Sequence, residues 1–506
     1  MSLLSYTINK TLIFLDSMPK SIRKQKGQFF TSCETALFMA SLFDFSHVSG
    51  EISVLDPGAG TGILTAAFVE NLQSNEKISG ISITCYETDT EVLPVLEENL
   101  AYIQSHSSIK IEFCIVRDDY LLTQIADFSN QLSLNRHDDP KKYDFIIGNP
   151  PYLKIAKNHP AAIGMPSVVH GAPNLYFLFT AMSLFNLKED SEMVYIIPRS
   201  WTSGAYFKAF RKYLLQAGKL RHLHLFVSRD KVFSQESVLQ ETIIIKLTKQ
   251  ADVPESVTLT SSQSDKDFGS LTSLTLPYNS IVSGEDWYVF LPTSQDEANV
   301  IRTINKYNQT LPEIGLRMKT GIVVDFRQKE ELRTEKDMET VPLFYSQHIS
   351  SGRVNHNPSG KKYDWVTTRK KGLIQENKNY LFCKRFTAKE EKRRLQCGIY
   401  QASDYPEFKN IATQNKINFV DDIHNGRLTL PEVYGIYALF NSSLFDTYYR
   451  ILNGSTQVNS TEINNIPVPS REQIIRIGEI LIKKNDLSTE ECDRVINEVA
   501  YEQENF

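Results

Sequence analysis

Cysteine is scarce and dispersed in this 506-residue chain: Cys33, Cys85, Cys114, Cys383, Cys397 and Cys492 form no C-x-x-C pair. That spacing argues against a zinc site or a disulfide framework and for thiols kept reduced. No apolar run approaches the ~18 residues of a membrane span, and no signal-peptide pattern opens the chain. A cytoplasmic chain without membrane contact is the expectation. Internal repeats and low-complexity tracts are missing from Pro292 onward as well. So is an excess of positive charge: 55 Lys and Arg face 60 Asp and Glu, a net of −5. Taken over the whole chain this speaks against nucleic acid, but binding depends on where the charge lies. What remains is an ordinary globular composition, 41% hydrophobic and 23% charged, in a chain too long for one core.

Two motifs stand out against that background. In the first, the strand-like run from Tyr143 to Gly148 leads into Asn149-Pro150-Pro151-Tyr152. The prolines fix the loop and remove two N–H donors, leaving an amide side chain and an aromatic ring. The Asn149 side-chain oxygen and the Pro150 carbonyl can each accept one N–H of an amino group on a flat conjugated ring. With both accepted, the nitrogen lone pair turns out of conjugation, and Tyr152 can stack on the ring. Alone, the four residues read equally well as a surface turn.

The second motif, upstream, is Val54-Leu55-Asp56-Pro57-Gly58-Ala59-Gly60-Thr61-Gly62, followed by a helical pattern from Ile63. Glycines permit close backbone approach, and a helix N-terminus attracts a negative group. The spacing is neither G-x-G-x-x-G opening a helix nor a phosphate loop with Gly-Lys-Ser/Thr. A carboxylate-bearing nucleoside such as S-adenosylmethionine suits it better. The next strand ends at Glu87, placed to hold two ribose hydroxyls or else to cap the following helix. The third ends in Asp118-Asp119-Tyr120, where Asp119 is the choice for the adenine amino group of the cofactor.

The ordered set resembles the gamma-type, TaqI-like N6-adenine DNA methyltransferases, in which the cofactor motif precedes Asn-Pro-Pro-Tyr and target recognition comes last. Lys26-Gly27-Gln28-Phe29-Phe30-Thr31 is similar to that family's N-terminal cofactor motif. The resemblance implies that Phe29 and Thr31 join Asp56, Gly58, Gly60, Gly62, Glu87, Asp119 and Tyr120 around the cofactor, with Thr31 on the methionine carboxylate. The family's usual proline after the threonine is here Ser32. Lys231-Val232-Phe233, ahead of the strand from Thr242, is similar to the segment whose phenylalanine stacks on the extruded base. The C-terminal part looks like that of the BsuBI/PstI-type modification methylases, through Asn453-Gly-Ser-Thr-Gln-Val-Asn459 and Ile466-Pro-Val-Pro469. That likeness implies double-stranded DNA as partner, CTGCAG as an example of a palindromic target, and a separate cognate endonuclease. A monomer without metal is expected.

Strand-like segments at 52–55, 81–86, 111–116, 143–147, 193–197, 222–227 and 241–247 alternate with helical patterns. This predicts a Rossmann-like, doubly wound α/β sheet over residues 1–290, with ligands at the carboxyl ends of its strands. The composition turns to Ser, Thr, Asp and Pro over 253–284. Residues 291–506 read as a target-recognition domain of mixed fold. Between residues 353 and 394, thirteen Lys and Arg oppose four acids, a local net of +9, interleaved with Tyr363, Trp365, Tyr380 and Phe386. Such a cluster in an acidic chain reads as a phosphate-tracking surface, with Lys384, Arg385, Lys392, Arg393 and Arg394 at its end. Asn-Pro-Pro-Tyr also serves enzymes that methylate a protein glutamine amide, but those are compact and leave this C-terminal region unexplained. An RNA base amine as the substrate, or a non-catalytic DNA-binding module that keeps the fold, is also compatible with the motifs.

Overall fold

The computed structural model describes residues 1–19, 21, 27, 29–129, 140–227, 241–357, 363–388 and 390–504. The chain divides into two compact units, Met1–Gln295 and Asp296–Phe506.

In the first unit one sheet contains β1 Gly50–Pro57, β2 Ile78–Tyr86, β3 Lys110–Val116, β4 Tyr143–Gly148, β5 Leu187–Pro198, β6 Lys219–Phe226, β7 Thr242–Thr248, β8 Ser256–Ser262 and β9 Thr272–Pro277. Their order is β3-β2-β1-β4-β5-β7-β6-β8-β9. The five strands β1 to β5 pair in parallel, whereas β7 runs antiparallel between β5 and β6. The order reverses between β1 and β4, and ligands bind in the crevice beyond the strand ends at such a switch point.

The parallel strands read as near-continuous apolar runs because helices cover them. Helix Ile63–Leu72 buries eight of its ten residues, and Phe68 meets the rings of Phe43, Phe45 and Phe145. The small Ala36, Ala40, Ala66 and Ala67 let neighbouring elements approach within the same core. On burial of this extent each large apolar side chain contributes about 1.5–3 kcal/mol.

The polar drift over 253–284 conceals β8 and β9. In β8, Val257, Leu259 and Thr260 are buried, and the strand pairs in parallel with β6. Ser and Thr fill a marginal strand readily, because threonine is a good strand former and one face suffices for packing.

The second unit has a six-stranded sheet, in the order Leu316–Thr320, Ile417–Asp422, Tyr380–Lys384, Cys397–Tyr400, Arg353–Val354 and Ile349–Ser350. A five-stranded sheet follows the order Leu332–Arg333, Trp365–Thr367, Thr340–Phe344, Asn410–Thr413 and Gln375–Glu376. Helices Leu430–Asn441 and Arg471–Lys484 meet backbone to backbone. A Cβ at Gly435 would lie 1.9 Å from the Ile474 carbonyl oxygen, and one at Gly478 1.7 Å from that of Pro431. Among the described residues no helix is long and apolar enough to cross a membrane.

Candidate active site

The ends of β1 to β4, with Gly27, Phe29, Phe30 and Thr31, border a cavity of about 490 Å³. Phe29, Thr31, Gly58, Gly60, Glu87, Asp119, Tyr120, Asn149 and Pro151 all border it. Its size falls in the range of ligand pockets.

Beyond β1 the chain turns through Gly58, Gly60 and Gly62 at φ of 91°, 56° and 85°, a conformation that side chains disfavour. Gly62 precedes helix Ile63–Leu72 and offers no capping side chain. The loop is tied down from below. Gly58 and Ala59 both donate to the Tyr86 carbonyl at 2.9 Å. Thr11 donates to Thr61 Oγ1 at 2.7 Å, and Asn99 donates to the Thr61 carbonyl at 2.8 Å.

Asp56 and Gly62 do not border the cavity, contrary to their expected cofactor contact. Asp56 is fully buried beneath the loop, where Oδ2 accepts from Thr65 Oγ1 at 2.7 Å and Oδ1 finds no hydrogen-bond partner among the described residues. Burial first, and then the charge of Glu87, pushes its carboxyl up to about 7. It braces the loop; Gly62 makes the turn into the helix.

Glu87 does reach the cavity. Oε2 accepts from the Gly60 amide at 3.0 Å and Oε1 from the Asp89 amide at 2.7 Å. Burial raises its pKa, against the opposing pull of those amides. The alternative role as a helix cap does not hold, since the next helix begins at Leu93 behind Val92. Asp119 caps helix Tyr120–Phe128 through the Leu122 amide, 2.9 Å from Oδ1, which leaves Oδ2 for a ligand. Tyr120 offers only its ring, because its hydroxyl donates to Asn186 Oδ1 at 2.9 Å. With Asp89 and Asp118 also on the wall, the pocket is acidic. Phosphates would be repelled there, whereas hydroxyls, amines and a positive centre are welcome. S-adenosylmethionine fits that donor set.

Asn149 stands where β4 ends. Its Nδ2 donates to the Phe29 carbonyl at 2.7 Å and to Thr31 Oγ1 at 3.1 Å. Among the described residues, none donates to its Oδ1 or to the Pro150 carbonyl. Pro150 and Tyr152 are not among the residues that line this cavity. The Tyr152 hydroxyl donates to the Ile196 carbonyl at 3.0 Å, and its ring packs beside Phe29 at 5.5 Å. Phe233 lies outside the described residues. Ser32, in place of the family's proline, caps helix Cys33–Ser41 by accepting from the Thr35 amide. Leu175 and Phe179, one helical turn apart, complete the wall. Nothing in the sequence separates them from core residues.

The basic cluster in the second unit is less uniform than its composition. Arg394 is fully buried and donates to Thr387 Oγ1, Asn453 Oδ1 and the Ser455 carbonyl. Arg393 is half-buried and donates to Thr489 and to the carbonyls of Phe440 and Ser442. Both are scaffold rather than the phosphate contacts expected of them. Asn453 explains part of this arrangement, for it also donates to Tyr449, Gln457 and Glu462 and so fixes the loop that receives Arg394. Trp365 and Tyr380 are core residues as well. Lys392 and Phe386 remain exposed, with Lys384 and Arg385 half-buried beside them.

Residues 69–233 match the family model described as Eco57I restriction-modification methylase. Over 483 residues the chain is 34% identical to the type II methyltransferase M.BsuBI of Bacillus subtilis, covering 94% of each chain. It is 34% identical over 498 residues to M.PstI of Providencia stuartii, covering 95% of this chain and 94% of that one. Among solved structures, a nuclease-deletion mutant of the type ISP restriction-modification enzyme LlaGI aligns over 90% of this chain and 55% of that one. The TM-score is 0.47, at 12% identity.

Proposed function

The chain belongs to the type II methyltransferases of restriction–modification systems, and we propose that it methylates N6 of an adenine rotated out of double-stranded DNA. The observation carrying this reading is the Asn149 amide, held by its nitrogen with Oδ1 unclaimed at the edge of the cavity. When bound, S-adenosylmethionine supplies an electrophilic methyl group. Phe29, Thr31, Gly58, Gly60, Glu87, Asp119 and Tyr120 would hold it.

Asn149 Oδ1 and the Pro150 carbonyl each accept one N–H of the adenine amine. The nitrogen then gains lone-pair character, and positive charge growing on it meets acceptors already in place. No covalent bond to the enzyme is required. Rotating the base out costs a few kcal/mol, and stacking on Tyr152 and Phe233 offsets about 1–3 kcal/mol per ring. From the basic cluster, Lys384, Arg385 and Lys392 are the residues assigned to phosphate in this reading, Lys392 being the exposed one. A palindromic target such as CTGCAG, a separately acting endonuclease, a cytoplasmic location and a monomeric state complete the proposal.

Long-read mapping of modified bases in a host expressing the chain tests it. The expected result is N6-methyladenine at one short sequence. Unmodified DNA, with tritium from labelled cofactor entering RNA or release factor instead, would replace adenine in DNA with one of those substrates.

A further inference from the structure

The segment that closes the cofactor cavity touches the Asn-Pro-Pro-Tyr loop three times. Gly27 accepts the Tyr152 amide at 3.2 Å, Phe29 accepts one Asn149 Nδ2 proton, and Thr31 Oγ1 accepts the other. Gly27 makes this approach possible, since a Cβ there would already stand 3.3 Å from Leu153 Cβ. An asparagine amide turns about a broad, two-fold torsion, so its oxygen and nitrogen exchange places easily unless something distinguishes them. A carbonyl only accepts. The Phe29 contact therefore dictates which end of the amide is nitrogen, and Oδ1 is left for the substrate.

We infer that Phe29 and Thr31 are positioning residues for Asn149, so that the wall of the cofactor site also sets the acceptor for the target amine. This rests on the proposed role of Asn149. Thr31 is suited to link the two sites: its oxygen accepts from Asn149 while its own O–H stays free to donate to a carboxylate in the cavity. Chained hydrogen bonds of this kind strengthen one another. Without the tether, a flipped amide would point N–H at N–H, and the amine would find a donor where it needs an acceptor.

The discriminating variant is Thr31→Val, which removes the hydroxyl at nearly constant volume, with Thr31→Ser as the conservative control. Two readouts are needed. The first is the pair of Asn149 side-chain amide resonances in selectively labelled, cofactor-free protein, assigned by their loss in Asn149→Ala. The second is the single-turnover methylation rate with DNA and cofactor both saturating, measured beside the cofactor Kd by calorimetry. We expect Thr31→Val to shift and deprotect one Asn149 amide proton and to slow transfer by about tenfold, the scale of one neutral hydrogen bond. Thr31→Ser restores both. A change confined to the cofactor Kd, unaltered Asn149 resonances, or a serine variant that restores nothing overturns the inference. If Asn149→Ala itself retained transfer, the catalytic reading would fall instead, and the resonances would still report whether the tether exists.

Discussion

Glu87 Oε2 and the Gly60 amide meet at 3.0 Å, joining the end of β2 to the middle of the glycine loop. The acid expected to hold the ribose thus also fixes the backbone of the glycine loop. Glu87→Ala should weaken S-adenosylmethionine binding by about 1–3 kcal/mol, the worth of charged hydrogen bonds. Glu87→Gln, which keeps an oxygen for Gly60, should lose less. Calorimetry giving both variants the wild-type affinity would remove Glu87 from the cofactor site.

Asn149→Ala is expected to abolish transfer while cofactor affinity stays within a few-fold. Asn149→Asp should fare no better, since a carboxylate oxygen would oppose the Phe29 carbonyl where Nδ2 now donates at 2.7 Å. An active aspartate variant in the tritium-transfer assay would contradict this.

Asp56 gives the fold a pH dependence of unusual sign. Its carboxyl is raised to about 7 in the folded chain, so the native state holds a proton that the unfolded chain has already released. Stability is therefore lost as pH rises from about 4 to about 7, and the loss is complete above that. Asp56→Asn removes this dependence. Melting curves at pH 5 and pH 8 should show the variant gaining on wild type at the higher pH; a difference that stays constant or moves the other way refutes the assignment.

Within the second unit, arginines and lysines should separate by what they touch. Arg394→Ala should destabilise by about 3–5 kcal/mol, because it strips donors from a buried network. Lys384→Gln with Lys392→Gln should leave melting nearly unchanged and flatten the salt dependence of DNA binding, by about one log-slope unit for each phosphate no longer neutralised. Equal salt slopes in wild type and the double variant would move the DNA surface elsewhere.

These contrasts show how far the sequence could be read. Asn149, Glu87 and Gly58 sit at strand ends, where an apolar run followed by a polar or glycine-rich turn is visible locally. The position of β1 beside β4 then brings the turns together. Arg394 shows the opposite case. Its burial is decided by a loop around Asn453, 59 residues on, and a run of charges does not record that. Asp56 is similarly opaque, because facing inward or outward at the end of a buried strand depends on register with β2 and β4. The second unit resists for a related reason. Many of its strands are two to five residues long and pair across long stretches of chain, leaving no periodicity to detect.

The backbone contact between helices Leu430–Asn441 and Arg471–Lys484 sets a boundary on how this protein can diversify. If the second unit reads the target, as proposed, its preference can drift through surface lysines, loop lengths and the aromatic residues around them. Gly435 and Gly478 have no such latitude, since even alanine would drive a methyl group into a facing carbonyl oxygen. In a library of second-unit variants selected for folded protein, these two positions should stay glycine while their neighbours vary, marking the joint on which an altered surface can be carried without being rebuilt.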